Sequence, residues 1–273
     1  MIPHKTLYML HIPKTGGMSV QLLAQALLEQ ELPVYPHLPG RPAYTDYAYL
    51  QGHFGTQPLD RHPEIELATV VRDPVERAVS TFMWSARRER LSGRDGYEGS
   101  RPLADRLRYF LFEDEAHQDN HNLATRFLCN PSAKTSFHDV SEADARAVSQ
   151  MQPSTWYVTN DRSSLDEARR RLDSAAVLGV TEDLDRFMDG MLSWFERSYE
   201  LDLREAYSDL LTRVESASGS RRVNRGLYPD ETGVERSTAW LLSQLTPEEV
   251  ARLREMNAAD VAVHEHARSI IYS

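Results

Sequence analysis

The segment from Lys5 to Leu27 constrains the fold of this chain more than any other. Lys5 to His11 (KTLYMLH) is a short apolar run of the kind a strand shows when both of its faces are covered. The turn Pro13-Lys14-Thr15-Gly16-Gly17 follows directly, and Val20, Leu22, Leu23, Ala26 and Leu27 then set an apolar stripe at helical spacing. Strand, glycine turn and helix in this order open an α/β unit, and they predict a mostly parallel central sheet flanked by helices.

The same turn carries a chemical signal. A strand that passes into a helix through glycines aims main-chain N–H groups and the positive end of the helix dipole at one point. Gly16 and Gly17 allow the backbone to approach a ligand closely, Lys14 adds a full charge, and Thr15 and Ser19 add hydroxyl donors. Together they predict an anion cradle. The lysine precedes the glycines and the first glycine of G-x-x-x-x-G-K-[ST] is missing, which disfavours a kinase or GTPase.

Further along, Ala48 to Gln51 and Glu66 to Val71 read as strands, and residues 32 to 47 as a surface connection. Asp73 is placed as N-cap of a helix, with Pro74 at N1 and Glu76 at N3, a capping-box-like arrangement. Residues 85 to 102 read as a loop and residues 103 to 151 as helices, one of them Asn122 to Leu128. Thr155 to Val158 and Ala176 to Val180 read as short strands around a helix from Ser164 to Ser174. Leu184, Phe187, Met188, Met191, Leu192 and Phe195 mark the clearest amphipathic helix. Residues 212 to 233 read as a loop, and Thr246-Pro247-Glu248-Glu249 as the capping box of a late helix. With no repeat and no sharp composition break, residues 1–273 are expected to form one domain, in which 85–151 is a loop and helical insertion.

Composition narrows the function. A net charge of −10 argues against a long nucleic-acid track, which needs a basic face, but leaves room for a small anion held by a few cations. The single cysteine, Cys129, excludes an intrachain disulfide framework and a cysteine zinc site. His117 and His121 lack an evident third ligand, so no metal is expected. No apolar run reaches membrane-spanning length and Met1 to Lys5 does not resemble a secretory signal, so a cytoplasmic protein is expected.

A second motif, Arg72-Asp73-Pro74-Val75-Glu76-Arg77-Ala78-Val79-Ser80, puts a guanidinium at a strand end and a hydroxyl about two turns into the next helix, so that both can grip one phosphate. With this pair in view, the chain resembles the sulfotransferases that use 3′-phosphoadenosine 5′-phosphosulfate (PAPS). The resemblance is to the branch that includes the glycosaminoglycan 2-O-sulfotransferases and soluble bacterial relatives. His11 to Ser19 resembles that family's 5′-phosphosulfate loop, H-I-P-K-T-G-G-T-S, and residues 72 to 80 its 3′-phosphate motif, R-D-P-x-x-R-x-x-S. The resemblance implies a P-loop NTPase-like sulfotransferase fold and PAPS as donor co-substrate. Lys14 would stabilise the leaving phosphate, and Thr15, Gly16, Gly17, Met18 and Ser19 would hold the 5′-phosphate. Arg72 and Ser80 would hold the 3′-phosphate. Met18 replaces the usual threonine, which removes one hydroxyl but keeps the N–H and implies weaker donor binding.

Sulfuryl transfer to a hydroxyl needs a base, and Tyr49-Leu50-Gln51-Gly52-His53-Phe54 resembles the Gly-His segment that supplies one in this branch, which implies His53. His11, beside the phosphate turn, is the rival. Asn122 to Leu128 resembles a helix lining the acceptor side, and Arg222, Asn224 and Arg225 lie in a stretch that would close over the 3′-phosphate. The acceptor implied is a hydroxyl on a carbohydrate or a small molecule. Two other classes stay open: a nucleotide-binding module without turnover, and a phosphotransferase. The chain has no Gly-x-Ser-x-Gly elbow, so a serine hydrolase of that type has no support.

Overall fold

The computed structural model describes residues 5–29, 31–36, 44–53, 55–91, 101–114, 121–129, 162–218, 228–229 and 234–273. Five strands form one all-parallel sheet: β1 (Leu7–Leu10), β2 (Val34–Pro36), β3 (Tyr49–Gly52), β4 (Glu66–Val71) and β5 (Val177–Val180), in the order β2-β3-β1-β4-β5. The α/β reading therefore holds. β2 is an addition, since it lies inside the stretch expected to be a surface connection. Three residues are too few to show a period, and the strand exists through its pairing with β3.

Every residue of β1 is fully buried, as expected for a strand covered on both faces. Leu7 and Met9 point to one side, against α1 (Gly17–Leu28), α7 (Leu184–Tyr199) and Tyr207 of α8 (Arg204–Ser218). Tyr8 and Leu10 point to the other, against α5 (Leu123–Cys129), α6 (Arg162–Asp173) and α11 (Ala258–Tyr272). The period-2 alternation of a strand thus feeds two separate apolar layers. A third cluster joins α3 (Pro74–Leu91) to α4 (Leu103–Phe112), α9 (Thr238–Leu242) and Leu253 of α10 (Pro247–Met256). The five-residue α2 (Gln57–Arg61) links β3 to β4, and β6 (Tyr228–Pro229) pairs antiparallel with β7 (Glu235–Arg236).

Two boundaries differ from the sequence reading. Residues 85 to 91 continue α3 instead of opening a loop, because Ala86 is buried in the third cluster. Residues 212 to 218 likewise complete α8. The caps form largely as expected. Thr246 accepts from the Glu249 N–H at 3.2 Å while the Glu249 carboxylate accepts from the Thr246 N–H at 2.8 Å. Asp73 Oδ1 accepts from the N–H groups of Val75 and Glu76 at 2.9 and 3.1 Å. The expected strand Thr155 to Val158 lies outside the described residues, as do His117 and Arg222, Asn224 and Arg225. Among the described residues no helix is long and apolar enough to cross a membrane.

Candidate anion and base site

The strand order fixes where a site can form. β1 and β4 are neighbours, but β1 leads through α1 toward β2 on one flank, whereas β4 leads toward β5 on the other. Their C-terminal ends therefore flank a topological switch point, where open parallel sheets leave a crevice. The glycine turn follows β1, Arg72 follows β4, and His53 follows β3. Three candidate segments, far apart in sequence, leave the sheet at the same edge.

The turn after β1 is built tightly. Gly16 has φ of 89° and caps α1, a left-handed conformation that a side chain would strain, and a Cβ there would come within 2.9 Å of Leu184. Gly17 is required for a different reason: a Cβ there would lie 2.0 Å from His11 Cδ2, so the imidazole rests directly on the glycine. Lys14 also has positive φ, 70°. Thr15 is fully buried and donates its hydroxyl proton to Ile12 O at 2.8 Å. That hydroxyl braces the turn from within and is not one of the outward donors the sequence suggested. The N–H of Ser19 already turns back to Gly16 O at 2.9 Å, whereas those of Gly17 and Met18 are first-turn donors with no acceptor inside the helix. Met18 itself is half-exposed, and Ser19 is partly buried.

Arg72 joins the two motifs. Its Nη1 donates to Lys14 O at 3.3 Å, which ties the end of β4 to the turn after β1. Its Nε and Nη2 donate to Glu76 Oε2 at 3.2 and 3.0 Å. Glu76 thus answers the guanidinium rather than closing a capping box on Asp73. Although burial pushes Glu182 up, the His264 ring 3.4 Å from its carboxylate and the neighbouring backbone at Glu182 and Asp73 outweigh it and hold the carboxyl below the usual carboxylate range. Ser80 lies partly buried on α3, four residues beyond Glu76.

Lys14 sits in an environment that disfavours its own charge. Burial, and next the Arg72 guanidinium, lower it from 10.5 to about 8. Its Nζ lies 5.9 Å from the ring centre of Trp84, a half-exposed indole on the Glu76–Ser80 side of α3.

The two histidines form a stacked pair, with ring centres 4.5 Å apart and planes 27° from parallel. His53 Nδ1 faces the main-chain carbonyl of His11. A carbonyl only accepts, so Nδ1 carries the proton and the neutral ring keeps its lone pair on Nε2. The other face of the site is Phe127 of α5, edge-on to His53 at 5.8 Å. Tyr8 holds the following turn by donating to the carbonyls of Gly52 and Gly55 at 3.3 and 3.0 Å.

A polar network behind the site fixes α3 and α5. Arg77 is buried and donates through Nη2 to Asp260 Oδ2 and Asn257 Oδ1, each at 3.4 Å. Asp260 also accepts from the N–H groups of Ala124 and Thr125 and from the Thr125 hydroxyl, at 3.0, 2.8 and 2.8 Å. Burial lowers Arg77, against the attraction of Asp260, and the nearby Arg72 and Arg126 lower it further. Arg126 therefore belongs to the same cationic neighbourhood as Arg72.

The structure brings Lys14, the Gly16–Ser19 turn, Arg72 and His53 to one sheet edge. Gln51, Trp84 and Arg126 join the site only through the fold. The signals for the first and last lay in the segments around His53 and Asn122, and Trp84 stands at i+4 from Ser80 and i+8 from Glu76 on one helix face. These features define an α/β protein with a parallel sheet and with Lys14 and Arg72 at its switch point. No protein-family model matches the chain, and no curated protein matches it in sequence.

Proposed function

We propose that this chain is a sulfotransferase with a P-loop-type fold, which moves a sulfuryl group from PAPS to a hydroxyl on a carbohydrate or small molecule. The observation that supports the reading is the Arg72–Lys14 junction, which ties the guanidinium of the second motif to the turn that carries the lysine of the first. In this reading Lys14 and the first-turn N–H groups of α1 hold the 5′ end of the donor. Arg72 and Ser80 hold the 3′-phosphate.

The acceptor hydroxyl oxygen forms the new bond to sulfur while the bond from sulfur to the 5′-phosphate oxygen breaks. The hydroxyl proton passes to Nε2 of His53. Lys14 and the helix N-terminus neutralise the charge left on the departing adenosine 3′,5′-bisphosphate. The Arg72–Glu76 pair is compatible with this role. Glu76 is half-exposed, and such pairs contribute about 0–1 kcal/mol, so a doubly charged phosphate displaces it.

The test is incubation of the protein with sulfur-labelled PAPS and a panel of glycans, phenols and alcohols. Label should move to at least one hydroxyl acceptor, and Lys14→Ala should slow that transfer by orders of magnitude. Tight binding of the bisphosphate with no transfer to any acceptor would make the chain a nucleotide-binding module. Failure to bind it at all would overturn the reading.

A further inference from the structure

Beneath the two histidines lie Gln51 and Tyr49, both fully buried side chains to which the mechanism above assigns no role. Their hydrogen bonds leave one consistent arrangement. Gly17 O can only accept, so the Gln51 group facing it at 2.9 Å is the amide NH2. That places Oε1 toward Tyr49, whose hydroxyl donates to it. Burial raises the Tyr49 phenol far above its ordinary range, so it stays a donor. The same NH2 faces His11 Nδ1 at 3.4 Å. A hydrogen bond there needs Nδ1 as the acceptor, which puts the proton of a neutral His11 ring on Nε2. The Nε2 side of that ring rests on Gly17, where a Cβ would come within 2.1 Å.

We infer that the buried Tyr49–Gln51–His11 chain is a tautomer lock that keeps the His11 ring uncharged against His53, with Gln51 as its positioning residue. This rests on the reading of His53 as the base. A base that takes a proton becomes a cation, and a second imidazolium stacked 4.5 Å away would oppose that step. Charging His11 at Nδ1 would also set a donor against the Gln51 NH2 and leave a buried amide without its acceptor, which is costly. The groups packed on His53 include the His11 ring and carbonyl from the end of β1 and the Phe127 edge from α5, with Lys14 in the turn beyond His11. The lock removes one cation from that surrounding. It also settles the rivalry between the histidines: His11 has Nδ1 committed to Gln51 and Nε2 packed on the turn, so it supports His53 and does not replace it.

The experiment is imidazole nitrogen–proton correlation spectroscopy on the whole isotope-labelled protein at pH 8, without ligand. His11 should give the signature of a neutral ring protonated on Nε2, and His53 that of a neutral ring protonated on Nδ1. Gln51→Glu, which places a carboxylate at His11 Nδ1 and gives up the bond to Gly17 O, should convert His11 to imidazolium. It should slow transfer at saturating donor by ~100-fold, within the range a general base contributes. A wild-type His11 that is charged or protonated on Nδ1 overturns the lock, as does a Gln51→Glu protein with a neutral His11 and full rate. The wild-type spectrum decides the matter if the variant does not fold. Both tautomers in place in a protein that transfers no sulfuryl group would uphold the lock and refute the transferase reading.

Discussion

Arg72 donates from Nη1 to the main-chain carbonyl of Lys14 at 3.3 Å, although the two residues stand 58 positions apart. The bond holds a guanidinium beside an ammonium at the end of two neighbouring parallel strands. Burial first, and the like charge of Arg72 second, raise the cost of the charged lysine and lower its pKa. A bound anion relieves that cost.

The first prediction concerns pH. Lys14 gives up its proton near 8 in the folded protein and near 10.5 in the unfolded chain. Between these values the unfolded chain binds more protons, so the Lys14 contribution to stability rises with pH across that window. Ligand binding runs the other way. A bisphosphate favours the charged lysine, so binding takes up a proton and affinity falls as pH rises past about 8. Calorimetry with adenosine 3′,5′-bisphosphate should show a loss of about tenfold from pH 7 to 9, and Lys14→Ala should flatten the profile. A flat wild-type profile would refute the contact.

Arg72 and Glu76 should have opposite effects. Arg72→Ala removes a charged donor and should weaken bisphosphate binding by about 1.5–3 kcal/mol, roughly 10- to 160-fold. Glu76→Gln removes the competing carboxylate and should tighten it by up to about fivefold. Measured affinities that move together, in either direction, would contradict the competition.

Gly17→Ala should fail at the site rather than in the fold. The new methyl group would occupy the place of the His11 ring, which must turn away and take its stacking on His53 with it. Overpacking of this kind costs about 1–3 kcal/mol. Thermal unfolding should report a folded protein with a lower midpoint, and transfer should be lost. An unshifted midpoint with normal transfer would show that His11 has room to spare.

Asp260→Ala should be among the most destabilising single changes. It strips the buried Arg77 of its carboxylate and removes the acceptor for two N–H groups and a hydroxyl at the start of α5. Breaking a buried pair costs about 3–5 kcal/mol. Denaturant unfolding should show that loss, and a change below about 1 kcal/mol would mean that the network is not cooperative.

Much of the site was legible where it depends on neighbours in the chain. The strand, glycine turn and helix around residues 5 to 28 followed from apolar spacing and two glycines, and the caps at Asp73 and Thr246 from short local patterns. The Glu76 side chain was misread because a capping box and an i,i+4 ion pair with Arg72 use the same spacing, and only the nearness of the guanidinium decides between them. Thr15 was misread because a hydroxyl in an anion turn looks the same on paper whether it faces outward or, as here, back to Ile12 O.

Local order along the backbone is written in residue type and period, because a helix stripe or a cap involves groups only a few positions apart. Which strand ends meet is set by parallel pairing of β1 with β3 and with β4, segments separated by dozens of residues, and no local pattern encodes it. The sequence by itself determined a parallel α/β protein with a cationic glycine turn. Only the tertiary structure decided that Arg72 binds the Lys14 carbonyl, that His53 stacks on His11, and that Gln51 has one orientation. Each of these rests on a donor or ring meeting its partner across the sheet.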